Sequence, residues 1–554
     1  MQSVGARHLL TCGGSYMSTN KKYLLGMDCG TTNIKAVILS EEGTTVAEAS
    51  RPSTFISSGQ NMQEQDANDW WRQSVEIFQS LAQQAGPEVV KNIQGISISS
   101  HTVSMLPVDK DGVPVRNAMT YQDSRSVEEM QYIVDKVGFE KFVKIVGGQP
   151  SVAFLPCKIL WFKKHEPELF ARTAAFLQAS SYINFKLTGV MSSDIDQATR
   201  TQCLNMSRLS WSRSIGDAIG IDLNRYMPRL YLVDEIIGKV TREAAQETGL
   251  VAGIPVIAGC SDAMASMFAL GLSELGQAGE SSGTTSLVFV GAKKKSRMDL
   301  PVITRPCAIS GMPWVFDAPI QTSGAALKWF VDKFAAEERE YCEKNGLNIF
   351  DYLNERALQA PAGSNGLLFL PYLLGERAPL WNDYARGLFV GLDMNMSRDD
   401  LIRSIFEGTA FALRNVVETV RKSGGKCESL RICGGGAKSR TWAMIKASML
   451  NCPVYLLDDS CGDVPVGDAL LVGNRVGVFG SLAEGVEKTI KVKEVIEPNP
   501  QWAAVYDKMY AHYVKVYENL DEELKVMRRD VLDIQQTQLE EKQREEMNSR
   551  DTVA

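Results

Sequence analysis

The sequence predicts an α/β protein built by duplication, and three observations carry that reading. Two hairpin turns share a Gly-Thr-Thr core about 250 residues apart: Gly30-Thr31-Thr32 within Gly26–Lys35, and Gly283-Thr284-Thr285 after Glu280-Ser281-Ser282. Strand-like and helix-like segments alternate along the chain, the pattern of sheets covered by helices. A strand-like run over 430–433 meets Gly434-Gly435-Gly436 and then a helix starting near Ser439. Such a junction gathers free N–H groups and the positive end of a helix dipole at one spot.

Each element follows from local chemistry. Tyr23-Leu24-Leu25 and Ala36-Val37-Ile38-Leu39 flank the first turn, and Leu287-Val288-Phe289-Val290 follows the second. A tight Gly/Thr turn between strands points N–H groups and hydroxyls into one concavity, which suits a phosphate. Glycine lets a ligand approach the backbone closely. One such turn is an ordinary hairpin; two copies, the first beside Asp28, indicate a nucleotide clamped between two halves. Asp28 has the carboxylate needed to hold a metal-bound water.

After the first hairpin comes a helix rich in Trp70, Trp71, Val75, Ile77 and Phe78, then a strand at Gly95–Ser99. A mixed insert runs to about residue 250, and a strand over 255–258 leads through Gly259-Cys260-Ser261 to Asp262. Ala263–Leu270 reads as a buried helix, for which Asp262 is a candidate N-cap. The second half repeats the hairpin over 276–292 and opens a helix at Gly324. Trp502, Tyr506, Met509, Tyr513 and Val516 keep helical spacing, so they face the second domain. Beyond about Asp530 the Gln/Glu-rich stretch reads as frayed or disordered, and residues 1–20 as a disordered extension.

Composition narrows the function. At 554 residues the chain exceeds one core, so two large domains are expected. A net charge of −7 argues against nucleic-acid or anionic-membrane partners, and no run approaches the ~18 apolar residues of a membrane span. Eleven scattered cysteines without a C-x-x-C pair fit reduced thiols of the cytoplasm. Only four histidines occur (His8, His101, His165 and His512), so carboxylates are expected to move protons. Neither a G-x-x-x-x-G-K-[ST] loop nor an H-R-D loop is present, which removes two common phosphoryl-transfer designs.

The longest motif is Gly366-Leu-Leu-Phe-Leu-Pro371-Tyr-Leu-Leu-Gly375-Glu376-Arg377-Ala-Pro379-Leu-Trp381, continuing to Ala385-Arg386-Gly387-x-Phe389-x-Gly391-Leu392 and Asp400-Leu401-x-x-Ser404-Ile405-Phe406-Glu407. It resembles the second signature of the FGGY carbohydrate kinases, a family that the chain resembles over roughly residues 22–520. Lys158-Ile-Leu-Trp161 before His165-Glu-Pro167 resembles the first signature more loosely, with Leu155 where the family prefers Pro, Ser or Thr.

The resemblance implies duplicated actin-like, ribonuclease-H-like domains around a cleft. Residues 21–270 would form the sugar-binding N-terminal domain with the catalytic Asp, 271–520 the ATP-binding domain, and 521–554 a helical or disordered tail. Asp262 falls where the family has its base. Asp28 corresponds to the residue that positions Mg²⁺ through water, a metal that takes few protein ligands. Gly30, Thr31, Thr32, Asn33 and Lys35 would face the phosphates from one side, with Gly283, Thr284 and Thr285 on the other. Gly324, Lys328, Gly435, Gly436, Ala437 and Arg440 correspond to positions lining the adenosine.

The substrate wall departs from the family pattern. Where xylulose and gluconate kinases usually carry Met-His, this chain has Thr102-Val103 after His101, and Ala263 follows the base where relatives often have Asn or Gln. His101, Thr102, Val103, Asp123 and Asp262 are the expected substrate contacts. Asp123 and Arg125 equally fit a structural ion pair. Met62–Trp71 and Thr120–Arg125 resemble loops of the pentulose kinases. Asp463-Val-Pro-Val-Gly467-Asp468-Ala469 parallels a Gly-Ala-Ala turn of the family, with Asp468 unaccounted for.

The resemblance thus implies a cytoplasmic, ATP- and Mg²⁺-dependent kinase of a ketopentose such as xylulose, acting on a small sugar without nucleic acid or membrane, and it allows a homodimer. Kinases of ribulose, gluconate, erythritol or glycerol remain alternatives, as does a non-catalytic sugar- or nucleotide-binding regulator.

Overall fold

A computed structural model describes residues 21–59, 61–296, 302–309, 311–459 and 461–551; the expectation for residues 1–20 lies outside them. Two large sheets organise the chain. The first has six strands in the order Ile236–Lys239, Pro255–Ile257, Ile93–Ser100, Tyr23–Cys29, Asn33–Ser40 and Thr45–Pro52. The second has seven, in the order Ile303–Ile309, Met312–Ile320, Ser286–Ala292, Gln277–Ser282, Ser429–Cys433, Val454–Leu457 and Val492–Ile496.

The duplication is visible in strand sense. In each sheet the hairpin strands pair antiparallel, and the second of them pairs antiparallel with the next strand outward. On the other side the first hairpin strand runs parallel to its neighbour, that neighbour runs parallel to the next, and an antiparallel edge closes the series. Leu24, Leu25, Met27 and Cys29 are all fully buried. Consecutive apolar residues without alternation are what a strand covered on both faces requires.

Helices cover the sheets. Asp66 caps the helix Ala67–Ala85 by accepting from the Asn68 amide at 2.9 Å. The helix Val464–Arg475 comes late in the sequence yet packs on the strands Tyr23–Cys29 and Ile93–Ser100 and on the helix Asp262–Ala269. Backbone meets backbone there: a Cβ at Gly26 would lie 1.9 Å from the Pro465 carbonyl oxygen, and one at Gly467 1.9 Å from that of Ala265. No residue larger than glycine fits at either position.

The C-terminal stretch differs from the frayed segment read from its composition. One helix runs from Pro500 to Asp551. Tyr506 and Tyr513 anchor its first part, both with no exposed surface, and Tyr506 donates to Glu407 at 2.9 Å. The later part holds Gln, Glu, Lys and Arg without Pro or Gly, and such residues favour helix without tertiary support. Nine of the described cysteines are buried free thiols. Among the described residues no helix is long and apolar enough to cross a membrane.

Candidate active site

Asp28 is the last residue but one of the strand Tyr23–Cys29, directly opposite Lys35 on one side and Ser99 on the other. Ser99 Oγ lies 3.2 Å from Asp28 Oδ1. Burial raises the Asp28 carboxyl well above its ordinary range, and the charges of Asp262, Asp468 and Asp463 push it further. Gly30 is needed beside it, since a Cβ there would meet the Asn33 carbonyl oxygen at 2.7 Å and Asp28 Oδ2 at 3.0 Å. Ser53 and Gln65 take up the carbonyls of Gly30, Thr31 and Thr32. Thr32 and Asn33 remain exposed. Lys35 points to Asp463 at 3.5 Å.

Asp262 is the first residue of its helix, and the cap is Ser261, whose hydroxyl accepts from the Met264 amide at 3.2 Å. The capping role considered for Asp262 therefore belongs to its neighbour. Asp262 is half-buried, with Oδ1 accepting from the Ala263 amide at 2.7 Å. Burial raises its carboxyl to about 6, against the lowering effect of that amide and of Arg200. Asp196 accepts from both the amide (3.0 Å) and the hydroxyl (2.5 Å) of Ser261. Arg200 joins Asp196 at 3.0 Å and Asp317 at 2.7 Å.

The second turn borders a cavity of about 480 Å³ lined by Gly283, Thr284, Gly324, Lys328, Gly435 and Gly436 together with Leu327, Asn348, Phe350, Asn354, Ser439 and Trp442, among others. The turn is docked on the helix Gly324–Phe334: Gly324 and Ala325 donate to the carbonyls of Gly283 and Thr284 at 2.9 and 3.0 Å. Beneath it Glu280 binds Lys446 at 2.7 Å, both buried, and accepts from Ser286 at 2.6 Å. Trp442 turns its Nε1 inward to Thr409 at 3.1 Å. Backbone N–H groups, an apolar wall and a polar rim suit a nucleotide.

Three expected nucleotide contacts fall outside this lining. Arg440 pairs with Glu494 at 2.9 Å, Ala437 packs against the core of the second sheet, and Thr285 is exposed beyond the rim. Asn348, Phe350 and Asn354 had no sequence signal. They come from the segment around the helix Ile349–Ala357, which is brought there by tertiary packing.

The positions expected to contact the sugar are mostly buried. Val103 is buried in the apolar core and Thr102 is half-buried. His101 is buried; its Nδ1 lies 3.0 Å from the Cys29 carbonyl oxygen, its ring meets Trp70 edge-on, and its Nε2 has no hydrogen-bond partner among the described residues. Burial lowers its pKa to about 4, so it is neutral. Asp123, read as a sugar contact or half of an ion pair, has the geometry of the pair: it holds Arg125 at 2.6 Å and the Gln63 amide at 2.9 Å with no exposed surface.

Asp468 is fully buried, accepting from Ser97 at 2.8 Å and contacting Ser99 at 2.6 Å. Burial raises its carboxyl to about 8. Among the described residues no group of three or more His, Cys, Asp or Glu has metal-binding geometry. A single carboxylate at the cleft, crowded by neighbouring negative charge, nevertheless fits a hydrated Mg²⁺ held mainly by phosphates and water.

Models of the FGGY family of carbohydrate kinases match the chain twice, the N-terminal domain over residues 23–269 and the C-terminal domain over 280–473. The chain is 29% identical to a xylulose kinase of Bacillus subtilis over 92% of its length and 100% of the relative's. A gluconokinase of the same organism is 27% identical over 85% of this chain and 91% of its own. The structure of a xylulose kinase from Rhodospirillum rubrum superposes with a TM-score of 0.81 at 27% identity, covering 91% of this chain and all of that one.

Proposed function

The chain belongs to the FGGY family of carbohydrate kinases and is an ATP-dependent sugar kinase, and from that premise we propose that its sugar is xylulose and that Asp262 is the base. The observation that carries the mechanism is Asp262 itself. It is a half-buried carboxylate with a pKa of about 6, presented by a capped helix beside Asp28. A base of that strength is largely deprotonated at neutral pH and still able to accept a proton.

In this reading a sugar hydroxyl gives its proton to an Asp262 oxygen as its own oxygen attacks the γ-phosphorus, and the bond to ADP breaks in line. Adenosine occupies the 480 Å³ cavity against Trp442 and Gly435–Gly436, and the two Gly-Thr-Thr turns hold the triphosphate. Mg²⁺, positioned through water by Asp28, would offset the charge of the phosphates. Lys35 and Asn33 flank the same turn. Residues 21–270 supply the sugar site and 271–520 the nucleotide site.

The substrate follows from the xylulose kinases that resemble this chain over nine-tenths of its length. ADP release measured over pentuloses, hexuloses, polyols and aldonic acids tests both parts. The highest kcat/KM is expected for xylulose. A preference for gluconate overturns the sugar alone, whereas no sugar-stimulated ADP release from folded protein overturns the kinase reading.

A further inference from the structure

The helix Val464–Arg475 crosses the strand Tyr23–Cys29 and the helix Asp262–Ala269 at glycine-only contacts. In the middle of this close-packed crossing stands Asp468, one residue past Gly467, with no exposed surface. A buried carboxyl destabilises a fold unless its oxygens are hydrogen-bonded. Here both are: Oδ1 accepts from Ser97 Oγ at 2.8 Å, and Oδ2 lies 2.6 Å from Ser99 Oγ.

Ser97 and Ser99 sit two apart on one strand, so they face the same side. Ser99 is also the residue directly opposite Asp28, whose Oδ1 is 3.2 Å away. One hydroxyl, with a single proton, thus sits between two carboxyl groups. They behave as one hydrogen-bonded unit that spans the contact between the late helix and the first sheet.

We propose that Asp468 is a positioning residue for phosphoryl transfer, fixing the Asp28 carboxyl group through Ser99 and tying its orientation to the helix Val464–Arg475. This rests on reading Asp28 as the residue that holds the hydrated metal. A helix that moves relative to the first sheet then moves the oxygen that orients the metal. Metal affinity becomes linked to how the two halves of the chain sit.

The test uses the full-length protein with Asp468→Ala, Asp468→Asn, Ser99→Ala and the Asp468→Ala/Ser99→Ala double variant. Mn²⁺ binding in the presence of a non-hydrolysable ATP analogue is read by water-proton relaxation, alongside the Mg²⁺ dependence of the rate and the KM for sugar. Asp468→Ala is expected to weaken Mn²⁺ binding about tenfold, the size of effect seen when an outer-shell partner of a metal ligand is lost, and to leave the sugar KM unchanged. Ser99→Ala should do the same, and the double variant should be no worse than either, since both cut one chain. Asp468→Asn restores binding, because its amide accepts from Ser97 and donates to Ser99.

Wild-type Mn²⁺ binding in either single Ala variant overturns the proposal, as does an Asn variant as impaired as Ala or strict additivity in the double variant. Should Asp468→Ala fail to fold, Ser99→Ala alone decides. Asp28→Asn serves as the separate control: wild-type Mn²⁺ binding there overturns the reading of Asp28 itself, whatever Asp468 does.

Discussion

Arg200 and Asp317 meet at 2.7 Å, the first in the N-terminal family domain and the second in the C-terminal one. Arg200 also holds Asp196, which receives the amide and hydroxyl of Ser261, the cap of the helix that begins with Asp262. The contact between the domains is therefore linked to Asp262 through three side-chain contacts and one peptide bond. All of these groups are buried or nearly so, so the ion pair serves geometry more than net stability.

Replacing the guanidinium takes the Arg200 cation from two buried carboxylates, Asp196 and Asp317. Arg200→Gln should cost about 3–5 kcal/mol of stability, as breaking a buried pair does. Arg200 also lowers the Asp262 pKa, so the acidic limb of the kcat profile should move to higher pH. Urea unfolding and a pH–rate profile check the two effects; an unmoved limb would separate Arg200 from the base.

Asp262→Asn should leave the fold intact and lower kcat by ~10² or more. In the wild type the rate should fall as pH drops through about 6, where Asp262 becomes protonated. The sign for stability is opposite. The raised value means folding favours the protonated form, so this group's contribution is full below the ordinary carboxylate range and is lost as pH rises through about 6. The Asn variant should therefore melt higher than wild type at pH ~8 and show little gain at pH ~4. Full turnover by the variant would reject Asp262 as the base.

Thr284 lines the cavity proposed to take the nucleotide, on a turn fixed from below by Glu280 and Lys446. Thr284→Val should raise the KM for ATP while sparing sugar binding. Titration calorimetry with each ligand separates the two, and unchanged ATP affinity would remove the second turn from the clamp.

His101 presents a neutral, buried ring whose Nε2 has no partner among the described residues. His101→Ala should reorder the preference among sugars and leave the KM for ATP unchanged. An unaltered ranking would confine His101 to the core beside Trp70.

The sequence made legible what lies in contiguous motifs. Both turns, the glycine junction and the helix after Asp262 are local in chain and local in space. Arg440 pairs with Glu494 and is absent from the cavity lining, since a helix start does not show which way a long side chain swings. Asn348, Phe350 and Asn354 reach the cavity only through the packing of a helix with no motif of its own. Asp468 stood out by residue type, but its partners Ser97 and Ser99 lie about 370 residues earlier, beyond any periodicity. Ser261 took the cap expected of Asp262 because Ser and Asp cap equally well, and only the backbone bend decides between them.

Counted back from its glycine, the first turn has its acid two residues away, at Asp28, and the second has it three away, at Glu280. Successive strand residues face opposite sides, so this offset gives the two repeats opposite parity. Met27, the counterpart of Glu280, is core, while Glu280 is neutralised by Lys446 inside the second sheet. A shift of a single position thus leaves one half-fold with a carboxylate beside its turn and the other with a carboxylate paired inside its sheet.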